Sequence, residues 1–189
     1  SVWSDVDNDG DMDLYIAKCR QGVSNQFDPR RINALYLNDG NGNFTEDADN
    51  RGLVILSQSW TADFADVDND GDMDCLITNH DNTMKLLEND GNGYFTDITE
   101  GSGLELNGFF LQAIMKDFNN DGFVDVLYAG GTNGFLTGNG DGTFTPQPGM
   151  FPNGDGMHSF AIGDLNNDGW IDVYASYGGG YVNPDYNND

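Results

Sequence analysis

Short apolar runs recur along this chain, and each begins where a cluster of acidic residues ends. They are Leu14-Tyr15-Ile16-Ala17, Cys75-Leu76-Ile77-Thr78, Val126-Leu127-Tyr128-Ala129 and Val173-Tyr174-Ala175. Runs this short do not make stable helices, and their β-branched and aromatic content predicts buried strands. A further strand is predicted over Ala34 to Leu37, Met84 to Leu87 and Gly134 to Thr137. Each leads into an Asn- and Gly-rich stretch that ends on Phe-Thr, over residues 38–45, 89–96 and 138–145. Asn and Gly tolerate positive φ, so these stretches predict tight hairpins.

The acidic clusters are copies of one nine-residue window. Asp5 to Asp13 and Asp66 to Asp74 both read DVDNDGDMD; Asp117 to Asp125 reads DFNNDGFVD, and Asp164 to Asp172 reads DLNNDGWID. The starts lie 61, 51 and 47 residues apart. The repeating unit is therefore strand, Asp-rich loop, strand, connection, strand, Gly-rich turn, strand. Four antiparallel strands in roughly 50 residues is the size of one β-propeller blade. The expected fold is all-β, a single repeat domain of about three and a half blades forming a partial ring or arc. The expected blades cover residues 1–50, 51–100, 101–150 and 151–189, the last incomplete. The longest connection, Cys19 to about Asn33, holds Arg20, Arg30 and Arg31 and is expected to be a surface insertion.

Within the window, positions 1, 3, 5 and 9 are always Asp or Asn, position 6 is always Gly, and position 8 is always apolar (Met12, Met73, Val124, Ile171). Calcium is a hard cation that takes six to eight oxygens, and a tight loop can turn alternate side chains toward one centre. The Gly permits the sharp turn. Position 7 varies among Asp11, Asp72, Phe123 and Trp170, as expected if it supplies a backbone carbonyl. The apolar residue at position 8 is expected to tuck into the core. An EF-hand loop also starts D-x-[DN]-x-[DN]-G but needs a bidentate Glu at position 12. Here position 12 is Ile16, Ile77, Tyr128 and Ala175, so all four windows fail that test. Four calcium ions are expected, one per loop.

Charge agrees with this reading. The 189 residues carry 32 Asp and Glu against 7 Lys and Arg, a net charge of −25. Such a chain repels nucleic acid and anionic membrane, and neither partner is expected. Half of the acidic residues sit in the four windows, five in each of the first two and three in each of the last two. Without a cation those carboxylates would repel one another. Filling four sites would bring −25 to −17. Calcium is then a structural staple that stabilises the fold by mass action.

The windows and the N-D-G-N-G-x-F-T turns resemble the FG-GAP/VCBS repeats, which form integrin α-like propeller blades and occur in secreted proteins and cartilage acidic protein relatives. The resemblance covers nearly the whole chain. It implies that Asp5, Asp7, Asp9 and Asp13 bind one ion by side chains, with the Asp11 carbonyl; Asp66, Asp68, Asp70, Asp72 and Asp74 repeat the set. The third set would be Asp117, Asn119, Asp121, Phe123 and Asp125, and the fourth Asp164, Asn166, Asp168, Trp170 and Asp172. Asn119 and Asn166 keep an oxygen but lose a charge, so weaker binding is expected there. Family propellers close with about seven blades, so the arc implies either the remainder of a larger propeller or self-association of copies, as a ring or a fibre.

No catalytic constellation is legible. His80 and His158 lie in unrelated repeats, and the Asp pairs belong to the loops. The chain is expected not to be an enzyme. The expected role is extracellular or cell-surface adhesion, recognition or assembly, with a protein or carbohydrate ligand. The alternatives are a non-catalytic module of a secreted polysaccharide-active enzyme and a fibre or surface-layer subunit. Ser1 is not an initiator methionine, so a processed or cut N-terminus is expected and a missing leader carries no information. Asn43-Phe44-Thr45 is a possible glycosylation sequon on a predicted hairpin, although Phe-Thr belongs to the repeat in any case. Cys19 and Cys75 are not assumed to pair.

Overall fold

A computed structural model describes residues 1–20, 22–80, 83–150 and 157–177. Fourteen strands form among them. The first sheet is β1 (Val2–Ser4), β2 (Asp13–Ile16), β3 (Ala34–Asn38) and β4 (Phe44–Glu46). The second is β5 (Ser59–Ala65), β6 (Asp74–Asn79), β7 (Lys85–Asn89) and β8 (Phe95–Asp97). The third is β9 (Phe110–Lys116), β10 (Asp125–Gly130), β11 (Gly134–Gly138) and β12 (Phe144–Pro146). The fourth has β13 (Met157–Gly163) and β14 (Asp172–Tyr177). Each is an antiparallel meander in chain order, and none closes into a barrel. This is the partial propeller the pattern predicts. The tail after Tyr177 lies outside the described residues.

The predicted strands appear with ends shifted by up to two residues; Ala17 and Met84 fall outside theirs. The change that matters is at the start of each second strand, where the position-9 aspartate is the first strand residue rather than the last loop residue. The first strands β1, β5, β9 and β13 neighbour one another in that order.

The core lies between the sheets. One cluster joins Val6, Tyr15 and Leu35 of the first sheet unit to Cys75, Leu87 and Phe95 of the second. Another joins Val67, Leu76 and Leu86 to Met115, Val126 and Phe144. A third joins Leu127 and Phe135 to Met157 and Phe160, with Phe118 and Val173 packed against it. Each side of a strand thus faces a different neighbour, because successive side chains point to opposite faces of a sheet. Burial of both faces explains why the second strands read as continuous apolar runs.

The Cys19 to Asn33 connection has no strand among its described residues and carries an Arg30–Asp28 ion pair at 2.6 Å. Arg31 departs from the expected surface role: it is buried, donating to the carbonyls of Val23 at 2.9 Å and Leu56 at 3.3 Å. Its fork satisfies loop carbonyls that the insertion would otherwise bury without partners. Cys19 and Cys75 form no disulfide; the Cys19 thiol donates to Gln58 Oε1 at 3.4 Å, and Cys75 is fully buried.

Candidate metal centres

Each Asp-rich loop joins the first and second strands of a sheet, and one set of hydrogen bonds shapes all four. In the first, the position-1 carboxylate of Asp5 accepts the N–H groups of Asp9 at 3.2 Å and Gly10 at 3.0 Å. Asp66, Asp117 and Asp164 accept the equivalent pairs in their own loops. The position-5 carboxylate accepts the N–H of position 7 at 2.9 Å in every loop.

Position 9 closes the loop from the strand side. Asp13 accepts the N–H of Val6 at 3.0 Å and of Asn38, at the end of β3, at 2.8 Å. Asp74 does the same with Val67 and Asn89, and Asp125 with Phe118 and Gly138. These three carboxylates are essentially inaccessible to solvent. Each oxygen accepts one N–H, which leaves lone pairs for a cation. Burial, more than the neighbouring aspartates, pushes the carboxyls of Asp13 and Asp125 up and that of Asp74 to about 7.

In the first two loops three carboxylates converge. One oxygen from each of Asp5, Asp7 and Asp13, and from each of Asp66, Asp68 and Asp74, lies within 4.8 Å of the others. Burial and neighbouring carboxylates raise Asp7 and Asp68 as well. Asp7 Oδ1 is buried with no hydrogen-bond partner. An orphaned carboxylate oxygen amid like charges is costly unless a cation completes it. A hard, all-oxygen donor set of this kind fits calcium.

The last two loops differ where Asn replaces Asp. Asn119 Nδ2 donates to Asp121 Oδ2 at 2.8 Å, and Asn166 Nδ2 to Asp168 Oδ2 at 3.0 Å. Positions 3 and 5 there satisfy each other, and an ion would have to break that bond.

A family model for the FG-GAP-like repeat matches residues 5–77, 66–128 and 117–175. The chain belongs to the FG-GAP-like repeat family. No curated protein matches it. Each FG-GAP-like match starts at one Asp-rich loop and ends in the second strand after the next. It therefore spans parts of two neighbouring sheets and the core between them.

Two features of these FG-GAP-like loops depart from the sequence reading. Position 8 does not tuck into the core in the first two loops, where Met12 is 50% and Met73 38% exposed, although Val124 of the third packs against a core cluster. The anchor is position 2, with Val6 and Val67 at 1% and 2% exposure and Phe118 packed against the third core cluster. The N–H of position 2 is tied to the position-9 carboxylate, which turns its side chain toward the following sheet. Position 4 is the second feature. It is Asn8, Asn69, Asn120 and Asn167, all left-handed with φ between 57° and 64°. Asn is among the few residues that adopt this conformation cheaply. Its side chain reaches the next unit: Asn8 Nδ2 donates to Asp72 Oδ1 at 2.7 Å and to the Gly91 carbonyl at 3.2 Å, and Asn69 Nδ2 to the Gly140 carbonyl at 3.4 Å. Four identical Asn residues at one window position were the available signal.

The first loop has a neighbour that the second lacks. Arg51 lies 3.9 Å from Asp7, pairs with Asp47 at 3.0 Å, donates to the Asn92 carbonyl and stacks 4.5 Å over the Tyr94 ring. Two loops of identical sequence therefore sit in different fields.

Among the described residues, neither His80 nor His158 joins the acidic clusters. At the sheet end opposite the loops, His80 stacks on Trp60 at 5.3 Å and meets the edge of Phe109 at 4.4 Å. Asn43 is exposed beside the β3–β4 hairpin, its amide donating to Asp39 Oδ2 at 2.8 Å.

Proposed function

We propose that this chain is a calcium-binding propeller-type module of an extracellular or cell-surface protein, serving adhesion, recognition or assembly, and not an enzyme. The observation that carries it is the convergence of Asp5, Asp7 and Asp13, and of Asp66, Asp68 and Asp74, each within 4.8 Å. In calcium these residues would be ligands by side chain, with Asp9 and Asp70 and the position-7 carbonyls completing the shell. The ion supplies positive charge that holds loop to strand. In the first three loops position 9 already ties the loop to the end of the third strand, so an ion placed there is a staple. Two weaker sites at Asp117, Asn119, Asp121 and Asp125 and at Asp164, Asn166, Asp168 and Asp172 complete the set of four. The exposed Trp60 and Phe109, with the half-buried His80 between them, offer an aromatic surface for a protein or carbohydrate ligand, away from the loops. No helix among the described residues is long and apolar enough to cross a membrane.

Isothermal titration of the chelator-stripped protein with calcium tests the reading. Two tighter and two weaker sites are expected, with Asp7→Asn and Asp68→Asn each turning one tight site into a weak one. No heat of binding in the millimolar range would overturn it.

A further inference from the structure

One buried side chain outside the four windows touches two of them. Asn89 ends β7 and is 2% exposed. Its Nδ2 donates to the Val6 carbonyl of the first loop at 2.8 Å and to the Met73 carbonyl of the second at 3.2 Å. Its Oδ1 accepts the N–H groups of Gly91 at 3.2 Å and Gly93 at 3.0 Å. A side-chain amide offers two donors and two lone pairs, so every one of its bonds is made. Its backbone N–H donates to Asp74 Oδ1 at 2.8 Å.

The two carbonyls matter because of the residues that follow them. A peptide plane joins the carbonyl of one residue to the N–H of the next. The Val6 carbonyl shares its plane with Asp7, and the Met73 carbonyl shares its plane with Asp74. One amide group therefore fixes the backbone that leads into a carboxylate of each converging trio. The hairpin that Asn89 holds also bears on the first loop, since a Cβ at Gly93 would lie 3.1 Å from Asp7 Cβ. On its other side, the Val6 N–H is held by Asp13. Bonds thus run from Asp13 to Val6, from Val6 to Asn89 and from Asn89 to Asp74, through residues that are all at most 2% exposed. The third sheet builds this joint differently. Gly138 stands where Asn89 does, a Cβ there would run into the Val124 carbonyl, and the Gly142 N–H takes the Val67 carbonyl directly at 3.2 Å.

We infer that Asn89 is a positioning residue shared by the first two metal centres, so that loss of its side chain weakens both together and spares the other two. The inference rests on the calcium reading of those loops. Asn89 touches no ion itself; it acts through Asp7 on one side and Asp74 on the other. Partners that orient metal ligands in this way are typically worth about 10–100-fold in metal affinity. Buried networks with every bond made also fix a single geometry, and here the network spans two sheets.

Each loop has one glycine whose N–H is bound to the position-1 carboxylate: Gly10, Gly71, Gly122 and Gly169. Nitrogen–proton correlation spectra of the whole chain, at successive buffered levels of free calcium, therefore read the four loops one by one. Asn89→Leu keeps the bulk and removes the polar atoms. In it the calcium midpoints at Gly10 and Gly71 should both rise by about tenfold or more, and those at Gly122 and Gly169 should stay where they were. A merely structural Asn89 would lower the urea midpoint in EGTA and leave all four calcium midpoints in place, which overturns the inference. A change at Gly71 alone overturns it too. The side-chain amide of Asn89 gives a second reading that needs no substitution there. It should shift when the first loop fills in Asp68→Asn and when the second fills in Asp7→Asn, two variants that copy the Asn of the third and fourth loops. An amide that answers to only one loop contradicts the shared role. If no glycine responds to calcium, the calcium reading falls and takes the shared role with it. Loops that fill independently of Asn89 leave that reading standing and overturn the shared role alone.

Discussion

Asp74 is 1% exposed, holds two backbone N–H groups, and has its carboxyl pushed up to about 7 by burial. Without metal the folded chain therefore keeps a proton that the unfolded chain releases near pH 4. Stability of the metal-free protein falls as pH rises from about 4 to 7, by at most about 1.4 kcal/mol per pH unit for this group. Asp13 and Asp125 push the same way. Calcium needs the carboxylates ionised, so in calcium the slope reverses and acid weakens the protein. Melts in chelator should rise between pH 7 and 5, and melts in calcium should fall; parallel trends would contradict the assignment of these groups. Asn8 makes a second case. Asn8→Ala loses both cross-unit bonds and puts a residue that tolerates the left-handed region less well than Asn at φ 57°, with an expected cost of about 1–3 kcal/mol in urea unfolding. Asn8→Gly keeps the conformation and should recover about 1 kcal/mol of that. Equal losses would mean that the left-handed geometry is not what Asn supplies. Arg51→Gln should tighten calcium at the first loop severalfold and leave the second unchanged, read by titration calorimetry, because Arg51 places a cation 3.9 Å from Asp7 of the first.

The elements lock together through backbone as well as side chains. The Phe144 N–H, at the start of β12, donates to the Ser102 carbonyl of the preceding connection at 2.7 Å. A Cβ at Gly103 would run into the Phe144 carbonyl, whereas one at Gly101 meets nothing within 4 Å, although both have φ near 85°. Gly101→Ala should cost only the conformational term, about 1–2 kcal/mol, and Gly103→Ala clearly more, because β12 must shift. Equal melting temperatures would remove the backbone lock from the account. The strands, the hairpins and the four loops were legible in the sequence because period and turn chemistry are local. The direction of the anchors was not. Positions 2 and 8 are both apolar, and only the bond from the position-2 N–H to the position-9 carboxylate decides that Val6 and Val67 turn inward while Met12 and Met73 stay out. The burial of Arg31 and the nearness of Arg51 to Asp7 were hidden for a similar reason, since both depend on which connection folds beside which loop.

At the scale of the whole molecule, the sheets meet through apolar clusters while their loop ends crowd carboxylates on one side of the arc. Apolar burial and charge repulsion therefore act on the same interfaces. Val6 packs forward from the loop whose Asp7 oxygen has no partner. Calcium in the loops would relieve the repulsion where the sheets are joined, which makes stability and metal loading one property. Ligand at 100 times its dissociation constant adds about 2.7 kcal/mol per site. The most direct measurement is a thermal melt of the whole chain in millimolar calcium and again in excess EGTA. A melting temperature lower by about 10 °C or more is expected in chelator, on the order of what two filled tight sites contribute at this chain length. An unchanged melt would contradict it.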